Sequence, residues 1–251
     1  MTTPSTNVND TFFDGIYKDV WRGLIHPGIS EAECDFLKDV AHLEKGDNVL
    51  DLMCGYGRHA LELARRGFPV TAIDNSADYI KEINAVSQTE SLPVEAFAAG
   101  ALQVELLKQY SAAICMGNSF AFFNREDATT LLKKIASCLI QQGTLLINSW
   151  MIAEIAIRHF REKDWYALDG FKYLLSNKFC FQPGRIESEH TIISEKGQVE
   201  IIHGIDYIFT LSELESMFKE AGLKTKGLYS TPRKKPFRIG DSTIYIVAEK
   251  I

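Results

Sequence analysis

The sequence has no apolar run long enough to cross a membrane. A spanning helix needs roughly 20 apolar residues, and the longest stretch, residues 144–157, is interrupted by Asn148, Ser149 and Glu154. Residues 1–10 also lack the basic and apolar regions of a secretory signal. We therefore expect a chain that does not insert into a membrane and that resides in the cytoplasm.

Positive charge and metal-ligand patterns are also scarce. The 27 lysines and arginines are outnumbered by 33 aspartates and glutamates, a net charge of −6, which disfavours a protein that coats nucleic acid. The short basic cluster at residues 233–235 and Arg238 is typical of a solvated loop. The five cysteines form no C-x-x-C pair and no histidine stands at a metal-ligand spacing. We expect reduced, mostly buried cysteines and no metal site.

Between residues 48 and 150, short apolar runs alternate with amphipathic segments. This alternation is typical of a parallel sheet built from βαβ units, with helices on both faces. The predicted strands are residues 48–53, 69–74, 94–99, 112–117 and 144–150. The predicted helices are residues 58–66, 77–86 after the N-cap Ser76, and 126–139 after Asn124. A capping box from Ser30 to Glu33 predicts an earlier helix that ends near residue 43.

The pattern changes after residue 150. A helical stretch to about residue 163 precedes three longer runs, and the turn signals Pro183-Gly184 and Lys196-Gly197 between them favour antiparallel hairpins. These runs are residues 171–181, 185–194 and 198–209. A capping box from Thr210 to Glu213 opens a helix that ends at Gly222, and strands at residues 224–230 and 242–250 follow. The sequence therefore predicts an α/β fold, a doubly wound sheet with a small antiparallel β insertion.

A glycine loop marks the most informative position. Asp51 lies in the first predicted strand, and Gly55 and Gly57 follow it before the first covering helix. The second strand ends in Asp74, at the distance where an acid can accept hydrogen bonds from ribose hydroxyls. Loop and acid together indicate an adenosine-containing cofactor, bound outside the carboxyl ends of the strands.

The carboxylate before the glycines decides between cofactors. A dinucleotide needs a pyrophosphate cradle, usually G-x-G-x-x-G, and Asp51 at this position would repel pyrophosphate. A carboxylate suits a ligand that carries a protonated amine. An NAD-dependent oxidoreductase on the same sheet topology therefore remains only as an alternative.

The loop D-L-M-C-G-Y-G at residues 51–57 resembles motif I of the class I S-adenosylmethionine-dependent methyltransferases. Asp74 matches the acid that follows the second strand in that family. The resemblance implies a seven-stranded Rossmann-like methyltransferase sheet. It also implies three regions: residues 1–150 with the N-terminal helices and the cofactor-binding core, residues 151–209 as a substrate-covering insertion, and residues 210–251 completing the sheet.

The resemblance implies S-adenosylmethionine as cofactor and S-adenosylhomocysteine as product. Asp51 would lie near the methionine amino group, Gly55 and Gly57 would allow close approach, and Asp74 would hold the ribose. Two departures stand out, because Met53 replaces the usual first glycine and Ala101 replaces the usual acid near the adenine amine. The cofactor-binding residues that we predict are Tyr17, Asp51, Met53, Gly55, Tyr56, Gly57, Arg58, Asp74, Asn75, Ala101, Leu102, Met116 and Asn118.

The residues that contact the methyl acceptor are less defined. His203 and Tyr207 are the candidates for touching substrate, although no motif assigns either of them catalysis. Trp150, Met151 and Trp165 are candidate walls of the substrate pocket. The function that we predict is methyl transfer to a nitrogen or oxygen nucleophile of a small molecule by in-line displacement.

Two further possibilities stay open. The loop after the fourth strand, residues 117–120, has no prolines, unlike the loop with which DNA amino-methyltransferases of this fold stack a flipped base, so nucleic acid is disfavoured as a substrate. A non-catalytic S-adenosylmethionine-binding module remains an alternative, because Ala101 leaves the usual acid absent and no base is identified. The sequence does not indicate an oligomeric state.

Overall fold

The computed structural model describes residues 7–251 and contains two sheets. Residues 1–6, part of the segment in which no secretory signal is predicted, lie outside the described range. The helices are α1 Tyr17–Leu24, α2 Ile29–Val40, α3 Arg58–Arg65, α4 Ala77–Glu90, α5 Arg125–Cys138, α6 Ala153–His159 and α7 Leu211–Glu220. The strands are β1 Val49–Leu52, β2 Val70–Asp74, β3 Val94–Ala98, β4 Tyr110–Cys115, β5 Leu139–Ser149, β6 Lys163–Leu168, β7 Phe171–Phe181, β8 Gly184–Ser194, β9 Val199–Tyr207, β10 Leu223–Tyr229 and β11 Ile244–Lys250.

The larger sheet confirms the predicted fold class. Its seven strands have the order β10-β11-β5-β4-β1-β2-β3, in which β1 to β5 are parallel and β10 and β11 are antiparallel. The strand order reverses between β1 and β4. In a parallel sheet the crevice outside the carboxyl ends of the strands at such a switch point binds ligands.

The core lies on both faces of this sheet. Leu50 and Leu52 of β1 pack on the side of α5, whereas Val49 packs on the side of α2 and α3. Alternate residues of a strand point to opposite faces, so a strand covered on both faces is apolar along most of its length. Asp51 interrupts this apolar run although it is buried, which is unfavourable for a charge unless a partner is supplied.

The second sheet has four antiparallel strands in the order β6-β7-β8-β9. Three of them correspond to the predicted runs, and the fourth, β6, lies where the sequence suggested the end of a helix. The prediction was wrong there because α6 ends at His159 and residues 163–168 form an edge strand. Trp165 and Tyr166 on that strand are exposed, so no regular alternation of buried and exposed residues marks it.

Two of the predicted capping boxes have different outcomes. The side chain of Thr210 accepts from the backbone N–H of Glu213, and Glu213 returns a contact to the Thr210 backbone, as expected. The helix α2 instead begins at Ile29 after Gly28, and Ser30 makes no cap. Glu33 there is buried in a polar cluster with α3, which takes its carboxylate away from the helix terminus.

The N-terminal segment is fastened to the second sheet. The side chain of Asn9 donates to the carbonyl of Ile205 over 2.8 Å and accepts from its N–H over 2.9 Å. The carboxylate of Glu200 accepts from the backbone N–H of Ile16 at the start of α1. Phe12 packs against Gly204, where a Cβ would lie 2.7 Å from its ring. The segment and β9 therefore form one cover over the carboxyl ends of the large sheet.

No helix within residues 7–251 has the length and apolar character to cross a membrane. The cysteines carry free thiols, with Cys34, Cys54, Cys115 and Cys138 buried and Cys180 partly exposed.

Candidate active site

A cavity of about 550 Å³ lies at the carboxyl ends of β1, β2 and β4. Its floor is the glycine loop after β1, the end of β2 and residues 116–117 after β4. Its cover comes from residues 7–10, Phe13 and Trp21 on one side and from Ile205 and Tyr207 of β9 on the other. The position is the one that strand order predicts for a bound ligand.

The glycine loop has the backbone of a tight turn. Met53, Gly55 and Gly57 all have positive φ, at 53°, 54° and 80°. A Cβ on Gly57 would lie 2.6 Å from Ile83, whereas a Cβ on Gly55 would meet no atom within 4 Å. Gly57 is thus required by packing against α4, while Gly55 faces open space in the cavity. Met53 takes the left-handed conformation at a position where glycine is favoured.

Asp74 connects the second strand to this loop. Its Oδ2 accepts from the backbone N–H of Gly55 over 2.8 Å, and its Oδ1 accepts from the N–H of Ser76 over 2.9 Å. Burial raises the pKa of Asp74, while the two backbone N–H groups act to lower it. Each carboxylate oxygen has a further lone pair, so the side chain can still accept from hydroxyl groups of a ligand in the cavity.

Asp51 has an unsatisfied oxygen. The side chain is 1% exposed and lines the cavity, and its Oδ2 has no hydrogen-bond partner within residues 7–251. Burial raises the pKa of Asp51 to about 7, against the opposing effect of Arg58. A buried acceptor without a donor costs roughly 1–3 kcal/mol. A ligand ammonium at this point would supply both the donor and the charge.

Arg58 also lines the cavity and belongs to a buried polar cluster. Its Nη1 lies 2.5 Å from Oε2 of Glu33, and Nε2 of His59 lies 2.8 Å from the same oxygen. The hydroxyl of Tyr245 donates to the other oxygen of Glu33 over 2.8 Å. Burial alone would raise the pKa of Glu33, but His59 and Arg58 lower it to about 2. The cluster fixes the guanidinium beside Asp51, where it can face a carboxylate.

A third part of the wall is the loop after β3. Ala101, Leu102 and Gln103 line the cavity. Nζ of Lys134, on α5, donates to the carbonyls of Ala101 over 3.2 Å, Leu102 and Val104 over 2.8 Å. Lys134 thus orders this turn through its backbone carbonyls, and position 101 offers no acidic side chain. The surface offered to a flat aromatic ring is apolar side chain and backbone.

The structure brings most of the predicted cofactor residues to the cavity. These are Asp51, Met53, Gly55, Tyr56, Arg58, Asp74, Asn75, Ala101, Leu102 and Met116, and Tyr207 among the acceptor candidates also lines it. Four others do not line it. They are Tyr17, Gly57, Asn118 and His203.

Tyr17 lies one helical turn away from the ring that does reach the cavity. It is buried, and its ring lies 4.7 Å from that of Phe12 and 5.9 Å from that of Tyr173. Trp21, four residues later on the same face of α1, lines the cavity and packs against Gly117. Trp21 and Phe13 thus line the cavity where Tyr17 was predicted to bind the cofactor.

His203 and Asn118 also lie elsewhere than predicted. His203 is exposed on β9 and pairs with Glu189 of β8, away from the cavity. Asn118 is buried beneath the cavity wall, and its neighbours Gly117 and Ser119 line the cavity in its place. Its amide joins β9 to the end of β5.

None of the three candidate substrate walls is among the residues that line the cavity. The ring of Trp150 lies 6.1 Å from that of Trp21, next to the cavity. Met151 packs under the second sheet with Ile186 and Ile208. Trp165 is 68% exposed on the edge strand β6, so it does not form a wall of this cavity.

Several lining residues were not predicted. They include Asn9, Phe13, Trp21, Tyr79, Gln103, Phe122 and Asp127. The density of aromatic residues in the N-terminal segment is a signal for Phe13 and Trp21. Tyr79 carries no such signal, although its hydroxyl is buried without a partner in the described part of the chain, and Arg22 lies over its ring and that of Tyr56.

The donors and acceptors around the cavity fit a ligand that carries an ammonium group, a carboxylate, hydroxyl groups and a flat ring. They offer a carboxylate for an ammonium group, an arginine for a carboxylate, an acid for hydroxyls and an apolar loop for a flat ring. Within residues 7–251 no group of His, Cys, Asp or Glu side chains is arranged to hold a metal ion.

Comparison with known proteins gives matches in sequence and in fold. The family model described as a methyltransferase domain matches residues 49–143, the region from β1 to β5. A glycine/sarcosine N-methyltransferase of Halorhodospira halochloris is 29% identical over 153 residues, 57% of this chain and 57% of the relative. A second, from Aphanothece halophytica, is 25% identical over 190 residues, 74% of this chain and 67% of the relative.

Two solved structures share the whole fold. The CcbJ methyltransferase from Streptomyces caelestis superimposes with a TM-score of 0.83 at 17% identity, covering 99% of each chain. A S-adenosylmethionine-dependent methyltransferase from Clostridium acetobutylicum superimposes with a TM-score of 0.81 at 15% identity, covering 96% of this chain and 98% of that one. Both likenesses include the second sheet, so the two-sheet arrangement is common to the three proteins.

Proposed function

We propose that this chain, whose residues 49–143 match a methyltransferase domain, is a class I S-adenosylmethionine-dependent methyltransferase that transfers the methyl group of S-adenosylmethionine to a nitrogen of a small molecule. The observation that carries the proposal is the unpartnered Oδ2 of Asp51 at the glycine loop. A buried carboxylate oxygen without a donor, inside a ligand-sized cavity, suits the amino group of a methionine moiety.

Different residues of the cavity would bind different parts of the cofactor. Asp51 would hold the amino group, Arg58 would face the carboxylate, and Asp74 would accept from the ribose hydroxyls. The loop at Ala101 and Leu102 would contact the adenine through apolar and backbone atoms. When bound, the cofactor supplies an electrophilic methyl group on a sulfonium.

The cover of the cavity favours a small acceptor. Asn9 ties the N-terminal segment to β9 by two hydrogen bonds, and both elements line the cavity. The cover excludes water, which would compete with the acceptor, and restricts the acceptor to a few orientations. The aromatic rings of Phe13 and Trp21 stand where they can stabilise a cation.

Nitrogen is favoured as the nucleophile by the names of the sequence relatives, both of which are glycine/sarcosine N-methyltransferases. An amine needs little further assistance from a base once it has lost its proton. An oxygen nucleophile would profit from a histidine or carboxylate against it, and His59 among the lining residues is already engaged with Glu33.

Titration calorimetry with S-adenosylhomocysteine and with NADH tests the cofactor half of the proposal. We expect binding of the thioether nucleoside and none of NADH, and binding of NADH alone would favour an oxidoreductase. Transfer of a labelled methyl group to a panel of primary and secondary amines and of alcohols tests the rest. Methylation of an amine is expected, whereas cofactor binding without turnover on any acceptor would leave a non-catalytic binding module.

A further inference from the structure

A polar cluster lies between α1, the loop after β4 and the second sheet, beside the cavity described above. The amide Nδ2 of Asn118 donates to Oδ1 of Asp206 over 2.9 Å. The residues on either side of these two in the chain, Gly117 and Ser119, and Ile205 and Tyr207, line the cavity. Neither Asn118 nor Asp206 is itself a lining residue, so the pair stands directly behind this wall, between the cavity and the second sheet.

Asn118 is held in one orientation. Its Oδ1 accepts from the hydroxyl of Ser149 over 2.7 Å and from the backbone N–H of Trp150 over 3.2 Å. Its NH2 group is thereby directed at Asp206. The residue has a φ of 70°, a conformation that asparagine tolerates better than most residues. The end of β5, the loop after β4 and β9 meet at this amide.

Within residues 7–251, Asp206 has no basic partner. Asn118 is the one donor to its carboxylate within residues 7–251, and residues 1–6 contain neither lysine nor arginine. The other oxygen of the partly exposed side chain has no donor among the same described residues. A carboxylate that is partly withdrawn from water is stabilised by a cation or by several donors, and a cationic ligand would supply what Asn118 alone does not.

Among the described residues, the groups that face Asp206 carry no positive charge near neutral pH. They are Asn118 from the loop after β4, Tyr17 from α1, Tyr173 from β7 and, behind Tyr173, His190 from β8. Burial raises the pKa of Tyr17 to about 12 and raises that of Tyr173 further, so both phenols keep their protons. Burial, with a smaller effect of His203 on β9, lowers the pKa of His190 to about 4.

We propose that Asp206 and Asn118 form the subsite for the acceptor nitrogen, and that the acceptor is an ammonium compound without a carboxylate next to the amine. This rests on the function proposed above. The aromatic rings of Tyr17 and Tyr173 favour a cation. An amino acid would bring a carboxylate to a place where Asp206 repels it and no lysine or arginine of residues 7–251 is paired with the cluster.

The same carboxylate can remove the proton that blocks reaction. An ammonium nitrogen has no lone pair, so one N–H bond must break before the nitrogen can act as a nucleophile. The proton passes to an oxygen of Asp206, where an O–H bond forms. Burial raises the pKa of Asp206 to about 7, against the lowering effect of Asn118, which brings the carboxylate close to the proton affinity that such a transfer needs.

The variant Asp206→Asn removes the charge while leaving an oxygen that accepts from Asn118. The matched control is Glu189→Gln, which removes an exposed carboxylate from the adjacent strand β8. The protein is first titrated with S-adenosylhomocysteine. The loaded protein is then titrated at pH 8 with benzylamine, cyclohexylmethylamine and putrescine, and with benzyl alcohol, glycine and sarcosine.

We expect at least one of the three amines to bind the wild-type complex, and its affinity to fall at least tenfold in Asp206→Asn and to change less than twofold in Glu189→Gln. The amine affinity of the wild type should decrease as pH falls through about 7, as Asp206 takes up a proton. S-adenosylhomocysteine affinity should be the same in all three proteins. That constant affinity separates the subsite from a folding defect.

Three outcomes would overturn the subsite. They are equal amine binding by Asp206→Asn, tighter binding of glycine or sarcosine than of the simple amines, and no binding of any of the three amines. A wild-type protein that fails the first titration with S-adenosylhomocysteine contradicts the proposed function instead, so the two failures are distinguishable.

Discussion

The backbone N–H of Gly55 donates to Oδ2 of Asp74 over 2.8 Å, so the glycine loop after β1 is fastened to the carboxylate that ends β2. The two features that indicate an adenosine cofactor in the sequence are therefore one structural unit. Asp74 has two roles, since it orders the loop and also faces the cavity. Loss of its carboxylate disturbs both.

We expect Asp74→Ala and Asp74→Asn to weaken S-adenosylhomocysteine binding to a similar extent, by at least about tenfold, or 1.4 kcal/mol. Both oxygens of Asp74 accept from backbone N–H groups, so the NH2 of an asparagine would face one of these donors in either orientation. Calorimetry measures the effect. Asp78→Asn, at an exposed position in the first turn of α4, is the control, and full affinity in Asp74→Asn would contradict the assignment.

The affinity for S-adenosylhomocysteine should depend on pH through Asp51. Its pKa is about 7 in the free protein because of burial, and a bound ammonium favours the charged form. Below pH 7 binding must first displace a proton, so the affinity at pH 6 should be about tenfold lower than at pH 8. Calorimetry at pH 6, 7 and 8 measures this dependence.

The variant Asp51→Asn isolates that effect. It cannot titrate, so its affinity should be lower than that of the wild type at pH 8 and nearly constant from pH 6 to 8. Asp206, whose pKa is also about 7, is unchanged in this variant and serves as an internal control. A wild-type affinity that does not vary over this range would show that Asp51 is not the group that meets the ammonium.

The sequence predicted the large sheet well because each of its buried strands is an apolar run between helices. The same logic found Asp51 and Asp74, since a charged residue in or at the end of such a run needs a reason. It failed for β6, an exposed edge strand without regular alternation. Local patterns carry little information about an element that buries so little surface.

The sequence also did not predict contacts between side chains that are distant along the chain. Ser30 and Glu33 have the spacing of a capping box, but Glu33 bonds instead to Arg58, 25 residues away. Tyr17 and Trp21 share a face of α1, and the sequence does not reveal which ring reaches the cavity. Asp206 stands beside Tyr207 on β9, and its pairing with Asn118, 88 residues away, follows from the placement of the second sheet.

Glu33→Gln should destabilise the protein at neutral pH. The pKa of Glu33 is about 2 in the folded protein, below its ordinary value of 4.5. A lowered folded pKa stabilises the fold above pH 4.5, and this contribution is lost as pH falls through about 2. The difference between wild type and variant should be about 3 kcal/mol at pH 7 and should shrink below pH 4. Urea unfolding at pH 7, 5 and 3 measures it.

The control for this comparison is Glu31→Gln, an exposed residue on the same helix, which should change the free energy of unfolding by less than about 0.5 kcal/mol. His59 titrates in the same cluster, and burial lowers its pKa, so wild type and variant are compared at each pH. Equal stability of the wild type and Glu33→Gln at pH 7 would mean that the negative charge of Glu33 does not stabilise its cluster with Tyr245, Arg58 and His59.

The two glycines of the loop should separate folding from ligand binding. In Gly57→Ala the new Cβ lies 2.6 Å from Ile83 at a φ of 80°, so backbone strain and overpacking add, and we expect a loss of about 2–4 kcal/mol in the free energy of unfolding. In Gly55→Ala no atom lies within 4 Å of the Cβ, and strain at positive φ alone costs about 1 kcal/mol.

The methyl group of Gly55→Ala also projects into the space that a ligand must enter, because Gly55 lines the cavity. Gly55→Ala should therefore lose more S-adenosylhomocysteine affinity than stability, with the order reversed for Gly57→Ala. Urea unfolding and calorimetry on both variants measure the two effects, and a Gly55→Ala protein with full affinity would place the ligand away from this loop.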